Sequence, residues 1–247
     1  MPTAAQIYAN RASWNPVTGC DRISAGCAHC YAERMAHRLQ KMGQAKYKNG
    51  FKVTLHDDVL ALPLTWKKPR LIFVNSMSDL FHKDVPLSFI QKIFTVMRRA
   101  DWHIFQILTK RSDRMASLAP KIKWPENVWA GVTVESADYY NRLDDLRAVP
   151  AALRYVSAEP MLGPMPDFPL KGIDWIILGG ESGPGARPME KRWVIDMRNR
   201  CKKNDVPFFF KQWGGTNRQE TGCLLDGKYY HEMPELKNGN GDLLLNL

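Results

Sequence analysis

Three of the chain's five cysteines, Cys20, Cys27 and Cys30, fall within eleven positions of the stretch TGCDRISAGCAHCYAERMAHRL. Clustered thiolates select zinc or an iron–sulfur cluster. Structural zinc is normally closed by four ligands, often as two C-x2-C pairs, and only Cys27 and Cys30 form such a pair here. A fourth ligand would have to be His29, His37, Cys201 or Cys223. Cys201 follows Trp193 and Met197 at helical spacing, so it reads as a small buried hydrophobe. Cys223 reads as packing and His37 as a solvated helix residue. A [4Fe–4S] cluster on three cysteines has a different logic, because its fourth iron stays open for an exchangeable ligand. The missing ligand then reads as a substrate, with zinc as the alternative.

Other polar residues gather where short apolar runs end: Asn75-Ser76-Met77-Ser78-Asp79, Thr109-Lys110-Arg111, Thr133 to Ser136, Ser157-Ala158-Glu159, Gly179-Gly180-Glu181-Ser182 and Lys211-Gln212-Trp213. Glu135 and Glu159 suit cofactor contacts or proton transfer. They also suit ion pairs with bases such as Lys110 and Lys211. GGESGPGARP (179–188) is the most glycine-rich loop. It suits a phosphate or carboxylate, with Arg187 as charge partner, or a tight strand-to-helix turn. Ser112, Ser136 and Ser182 fit helix caps, while Trp14 and Trp213 fit a cavity wall or packing.

The elements that must position these groups repeat a pattern of apolar run, polar cluster and helical stretch. The expected strands are Phe51–His56, Leu71–Asn75, His103–Thr109, Val128–Val134, Leu153–Ser157, Trp175–Leu178 and Pro207–Phe210, preceded by a first strand ahead of the cysteine loop. Their lack of clean alternation predicts sheets covered on both faces. Ile90, Ile93, Phe94 and Met97 make one helical stripe, and Tyr31, Met35, Leu39 and Met42 another. Strands alternating with helices predict an α/β fold, a complete or partial (β/α) barrel of parallel strands with its site at the strands' carboxyl ends. The expected domain is 1–215. A short appendage, 216–247, is expected to hold a hairpin turning at Asp226-Gly227 and a frayed end with the sequence NGNG.

The chain of 247 residues carries 35 Lys and Arg against 25 acids, a net charge of +10 that fits a nucleic-acid or phosphate-bearing partner or a merely soluble basic surface. No run of eighteen apolar residues predicts a membrane span. The opening MPTAAQIYANRASW lacks the apolar core of a signal peptide. A cytoplasmic location with reduced thiols is therefore expected.

With these residues in view, the stretch N-P-x-x-G-C…C-x-x-C-Y-A-E-R resembles the radical S-adenosylmethionine (SAM) superfamily, most closely its spore photoproduct lyase-like branch. Ser78-Asp79 and Ile107-Leu108-Thr109-Lys110 resemble the same branch. SWNPVTGC, NSMSDLFH, LTKR, WAGVTVES, SAEPMLGP, GGESGPGARP and FFFKQWGG, across residues 13 to about 235, resemble the phage-associated gp-thirty-seven/gp-sixty-eight family, whose activity is unassigned. The spacing here is C-x6-C-x2-C, where the superfamily usually has C-x3-C-x2-C.

The resemblance implies an enzyme in which Cys20, Cys27 and Cys30 hold [4Fe–4S] and the open iron binds S-adenosyl-L-methionine. Glu135, Glu159, Gly179, Gly180 and Glu181 are the candidate SAM contacts because each lies at a strand end; the superfamily's own GGE motif stands earlier in the chain. The implied partners are a nucleic-acid or nucleotide substrate and an electron donor, in the host cytoplasm for a phage-encoded chain. A peptide or small metabolite substrate, and a non-catalytic zinc- or iron–sulfur-bearing nucleic-acid-binding module, are the alternatives. No catalytic residue beyond these is assigned.

Overall fold

The structure, a computed structural model, describes residues 11–234. Seven parallel strands form one sheet: β1 (Arg11–Trp14), β4 (Leu71–Val74), β5 (Ile104–Thr109), β6 (Val128–Thr133), β7 (Leu153–Ala158), β8 (Trp175–Gly179) and β9 (Phe208–Gln212). Their spatial order is their chain order, as successive βαβ units require. The expected α/β partial barrel is therefore present.

Alternate residues of each strand serve two cores. Ile72, Phe105, Ile107, Val132, Val156 and Ile176 face the helices. Leu71, Ile104, Trp129, Leu153, Tyr155, Trp175 and Phe209 fill the inner, concave side. Both faces carry apolar side chains, which is why the strands read as continuous apolar runs. The Tyr155 ring occupies the space where a Cβ on Gly131 would stand, and its hydroxyl donates to the Ile107 carbonyl at 3.0 Å.

The edges curve toward each other, with the Arg11 guanidinium 6.0 Å from the Phe209 ring centre, yet β1 and β9 do not pair. The far edge of β9 is taken by the C-terminal segment. Phe210 N donates to Tyr230 O (2.7 Å), Glu232 N donates to Phe208 O (3.2 Å) and the Phe209 ring stacks on His231. An edge strand satisfied in this way has no free amides to offer β1. The expected turn at Asp226-Gly227 is present, with Leu225 bridged to Lys228 and both turn residues at positive φ, which Asp-Gly tolerates. The NGNG end lies outside the described residues.

One expected strand is corrected. In Phe51–His56 only Thr54–Leu55, β3, is extended, and it pairs antiparallel with β2 (Val17–Thr18) outside the main sheet. With only two residues paired, it ties the chain after the cysteine loop back onto the chain before it.

The helix α1 (Tyr31–Lys41) also departs from expectation. It buries only Ala36 fully, and Tyr31 and Met42 are 61% exposed. By contrast Ile90, Ile93, Phe94 and Met97 of α3 (Leu87–Arg99) are all buried. The short α2 (Leu62–Thr65), α4 (Ser112–Leu118), α5 (Asn141–Arg147) and α6 (Lys191–Lys203) complete the helices that matter to the site.

Candidate functional site at the carboxyl ends of the strands

The cysteine loop lies over the carboxyl ends of the sheet, and its attachment begins next to β1. Asn15 Oδ1 accepts from Ser76 Oγ and Met77 N, and Gly19 N donates to Met77 O, so the loops after β1 and β4 are laced together. Asn75 turns the chain at φ 62, a conformation Asn tolerates, and so aims Asp79 across the top of β5.

Asp79 is buried and accepts from Thr109 Oγ1 (2.7 Å), Phe81 N (2.9 Å) and Arg111 Nη1 (3.1 Å). Arg111 in turn donates to Cys20 Sγ at 3.2 Å and to the Asp21 carbonyl. Asp21 Oδ2 lies 2.9 Å from the buried His82 Nε2. Cys20 is thus strapped to β4 and β5. Burial pushes its thiol up to about 11, helped by Asp79 and only partly offset by Arg111.

Around Cys27 the strap comes from β6 and α5. Glu135 is fully buried, 2.7 Å from Arg142 Nη1 and 3.6 Å from Lys110 Nζ, and it accepts from Ser24 Oγ at 2.5 Å. Tyr139 Oη accepts from Ala25 N, while the Arg142 guanidinium stacks 4.1 Å over the Tyr139 ring. Burial raises the Cys27 thiol pKa, but bonds from the Ile23 backbone and the Ser24 hydroxyl, with the Lys110 charge, bring it below its ordinary value.

The β8 end holds the last part of the loop. Glu181 accepts from Arg187 Nε (2.8 Å) and lies 3.0 Å from His29 Nδ1. Arg187 also reaches Ala25 O, and Arg34 reaches Ser182 O. GGESGPGARP therefore closes on its own carboxylate instead of standing open for an anion. Gly180 is required by packing, since a Cβ there would collide with the Trp213 carbonyl, and its N–H is spent on Gln212 O. Gly179 leaves room for the Glu159 carboxylate.

Glu159 sits lower, on the concave side. It accepts from Ser157 Oγ (3.0 Å) and pairs with Lys211 Nζ (2.9 Å) beside a cavity of about 110 Å³, also lined by Arg11, Gln106 and Phe209. Both anticipated ion pairs, Lys110–Glu135 and Lys211–Glu159, are present.

The remaining residues fall out simply. Ser112 Oγ donates to Asp145, Ser136 Oγ donates to Asp138, and Ser182 Oγ accepts from Gln212, so none of the three caps a helix. Trp14 and Trp213 pack, donating from Nε1 to Val59 O and Leu224 O. Cys201 is fully buried in α6 and Cys223 half-buried near the terminal turn; His37 is exposed on α1. Arg142 and His82 escaped the sequence reading. Arg142 was detectable only as a cation three positions beyond Tyr139, beside the apolar Leu143 and Leu146 of its helix.

All five cysteines are free. Among the described residues, no group of three His, Cys, Asp or Glu side chains is gathered as a metal site. The loop nevertheless fits a cluster in donor type and in place: three half-buried thiols free of disulfides, on a segment whose residues 20–23 have no regular structure.

No curated protein matches the chain. Among solved structures it is similar to a spore photoproduct lyase double mutant with bound AdoMet and dinucleoside spore photoproduct (12% identity, TM-score 0.44, 77% of this chain and 61% of that one). It is also similar to a single mutant of that lyase (14%, 0.45, 76% and 59%). Identity and TM-score are both low, and the chain spans about 60% of the length of these structures. Residues 4–234 match the family described as "Protein of unknown function (DUF5131)", and the chain belongs to that family.

Proposed function

We propose that this chain is a radical SAM-type enzyme whose reaction takes place at the carboxyl ends of its half-barrel, with Cys20, Cys27 and Cys30 as ligands of a [4Fe–4S] cluster. One observation carries the reading. The only cysteine-rich loop among the described residues is strapped over the mouth of a parallel half-barrel by charged groups from the ends of β5, β6 and β8. When bound, such a cluster would supply an electron for the reductive cleavage of SAM, the chemistry that opens hydrogen abstraction from a substrate.

The chain's own residues bind, orient and exclude water. Arg111 and Asp79 orient Cys20. Glu135, held by Arg142 and Lys110, anchors Ser24 ahead of Cys27. Glu159 and Lys211 line the concave cavity, where they can hydrogen-bond a ligand. Glu159, beside that cavity, is the strongest of the candidate SAM contacts, while Glu135 and Glu181 are buried and already paired with Arg142 and Arg187. Gly179 and Gly180 serve by leaving room. The substrate is read as nucleic acid or nucleotide from the basic charge, and the electron comes from a separate donor in a reducing, cytoplasmic setting. No helix among the described residues is long and apolar enough to cross a membrane.

The test is iron and sulfide analysis of anaerobically reconstituted protein, followed by chromatography of reduced protein incubated with SAM. The expected result is a brown protein that releases 5′-deoxyadenosine. Cys20→Ala, Cys27→Ala and Cys30→Ala each lose the cluster, while Cys201→Ala and Cys223→Ala keep it. About one zinc per chain with no sulfide, or a cluster-loaded protein that makes no 5′-deoxyadenosine, overturns the reading.

A further inference from the structure

Between residues 22 and 56 the chain carries seven Lys and Arg against one acid, Glu33, a net +6 of its total +10. That one acid is already paired with Arg22. The acids flanking the window, Asp21 and Asp57, pair with His82 and Lys92. Arg38, Lys41, Lys48 and Lys52 are exposed, and no ion pair among the described residues uses them. Like charges this dense repel one another, and a polyanion relieves that repulsion.

The charges form one surface. Tyr31, Arg34, Arg38 and Lys41 recur at i, i+3, i+7 and i+10 along α1, all exposed. The turn at residues 45–47 packs on the end of α1, with Gln40 Nε2 donating to Lys48 O (3.0 Å) and Gln44 N to Leu39 O. Cys20 N donates to Phe51 O, which brings Lys52 beside the start of the cysteine loop. At the head of the stripe, next to Cys30, stands the 61% exposed Tyr31. The stripe therefore runs from an open aromatic ring beside the cysteine loop along a row of cations outside any ion pair among the described residues.

We infer that this surface binds the backbone of a single-stranded polynucleotide, with Tyr31 stacking on a base at the mouth. The inference deepens the reading above by choosing a polynucleotide over a free nucleotide, and it rests on that reading only for what happens afterwards. Phosphates match the row of cations, and free base faces match the ring. A small concave cavity admits a base only when it is out of a duplex stack. The face is a poor membrane anchor, because Met35 and Leu39 are turned inward and half-buried.

The experiment is fluorescence anisotropy with a labelled oligo-dT, repeated with a duplex of equal length and with phosphatidylserine vesicles. Four phosphate contacts give a slope of log K against log salt of about −3, so affinity falls roughly 50-fold between 50 and 200 mM salt. Removing two of them in R38Q/K41Q halves the slope. Tyr31→Ala weakens binding about tenfold with the slope unchanged. K121Q/K123Q, exposed on another face, changes nothing.

Equal losses in K121Q/K123Q, tighter binding to duplex, or binding to vesicles instead of oligonucleotide overturns the inference. Cluster content is measured on the same samples, so a protein that binds oligo-dT but holds zinc refutes the enzymatic reading alone. A cluster-bearing protein that ignores oligo-dT refutes this inference alone.

Discussion

Glu181 is the member of the site whose energetics can be worked most directly. Burial alone would raise its pKa, but two hydrogen bonds from the Arg187 side chain and backbone and one from His29 bring it from 4.5 down to about 2. At ~1.36 kcal/mol per decade that fall corresponds to about 3 kcal/mol. The carboxylate is 4% exposed, but Arg187 and His29 are each about a third exposed, so solvent screening trims the figure to about 2 kcal/mol. A folded-state pKa below the unfolded one gives stability that is complete above pH 4.5 and is lost as the pH falls toward 2.

Glu181→Gln keeps the shape and removes the charge. Unfolding free energies of the cluster-free protein and of this variant, from urea titrations between pH 7 and 3, should differ by about 2 kcal/mol at pH 7 and by roughly half that at pH 3. The other carboxylates titrate alike in both proteins and cancel. A difference that stays constant across that range, or none at pH 7, refutes the electrostatic account of how GGESGPGARP is held.

Two further outcomes follow from the packing. Gly131→Ala forces the Tyr155 ring from its place and breaks the bond to Ile107 O, so the variant should lose about 2 kcal/mol or more in denaturant unfolding, against about 1 kcal/mol for Tyr155→Phe. Arg142→Met leaves Glu135 buried with only Lys110 and Ser24 for partners. It should cost about 3 kcal/mol and be rescued in large part by the double change with Glu135→Gln; a double mutant no more stable than the single one contradicts the pairing.

Much of this was legible in the order of residues alone. Apolar runs such as His103–Thr109 and Val128–Val134, alternating with helical stripes, are determined by local chemistry: a strand buried on both faces must be largely apolar, and a crossover helix needs one apolar side. The polar ends of those strands were readable too, because parallel strands deliver them to one face.

Other features belong to the tertiary structure. Phe51–His56 has the composition of a strand, yet only two of its residues find a partner, because the free backbone beside it belongs to Val17–Thr18 and not to the sheet. Tyr31, Met35, Leu39 and Met42 share a helical period, but periodicity cannot reveal that only Met35 and Leu39 are half-buried while Tyr31 and Met42 stay exposed. Sequence spacing could not say that Arg111, 91 positions from Cys20, would reach its sulfur, or that Arg142 would sit beneath Glu135. Nor could it foresee that residues 230–232 would take the open edge of β9 and leave the barrel half closed. Those outcomes depend on contacts between segments far apart in the chain, where burial decides which charges must pair and which backbone groups remain to be satisfied.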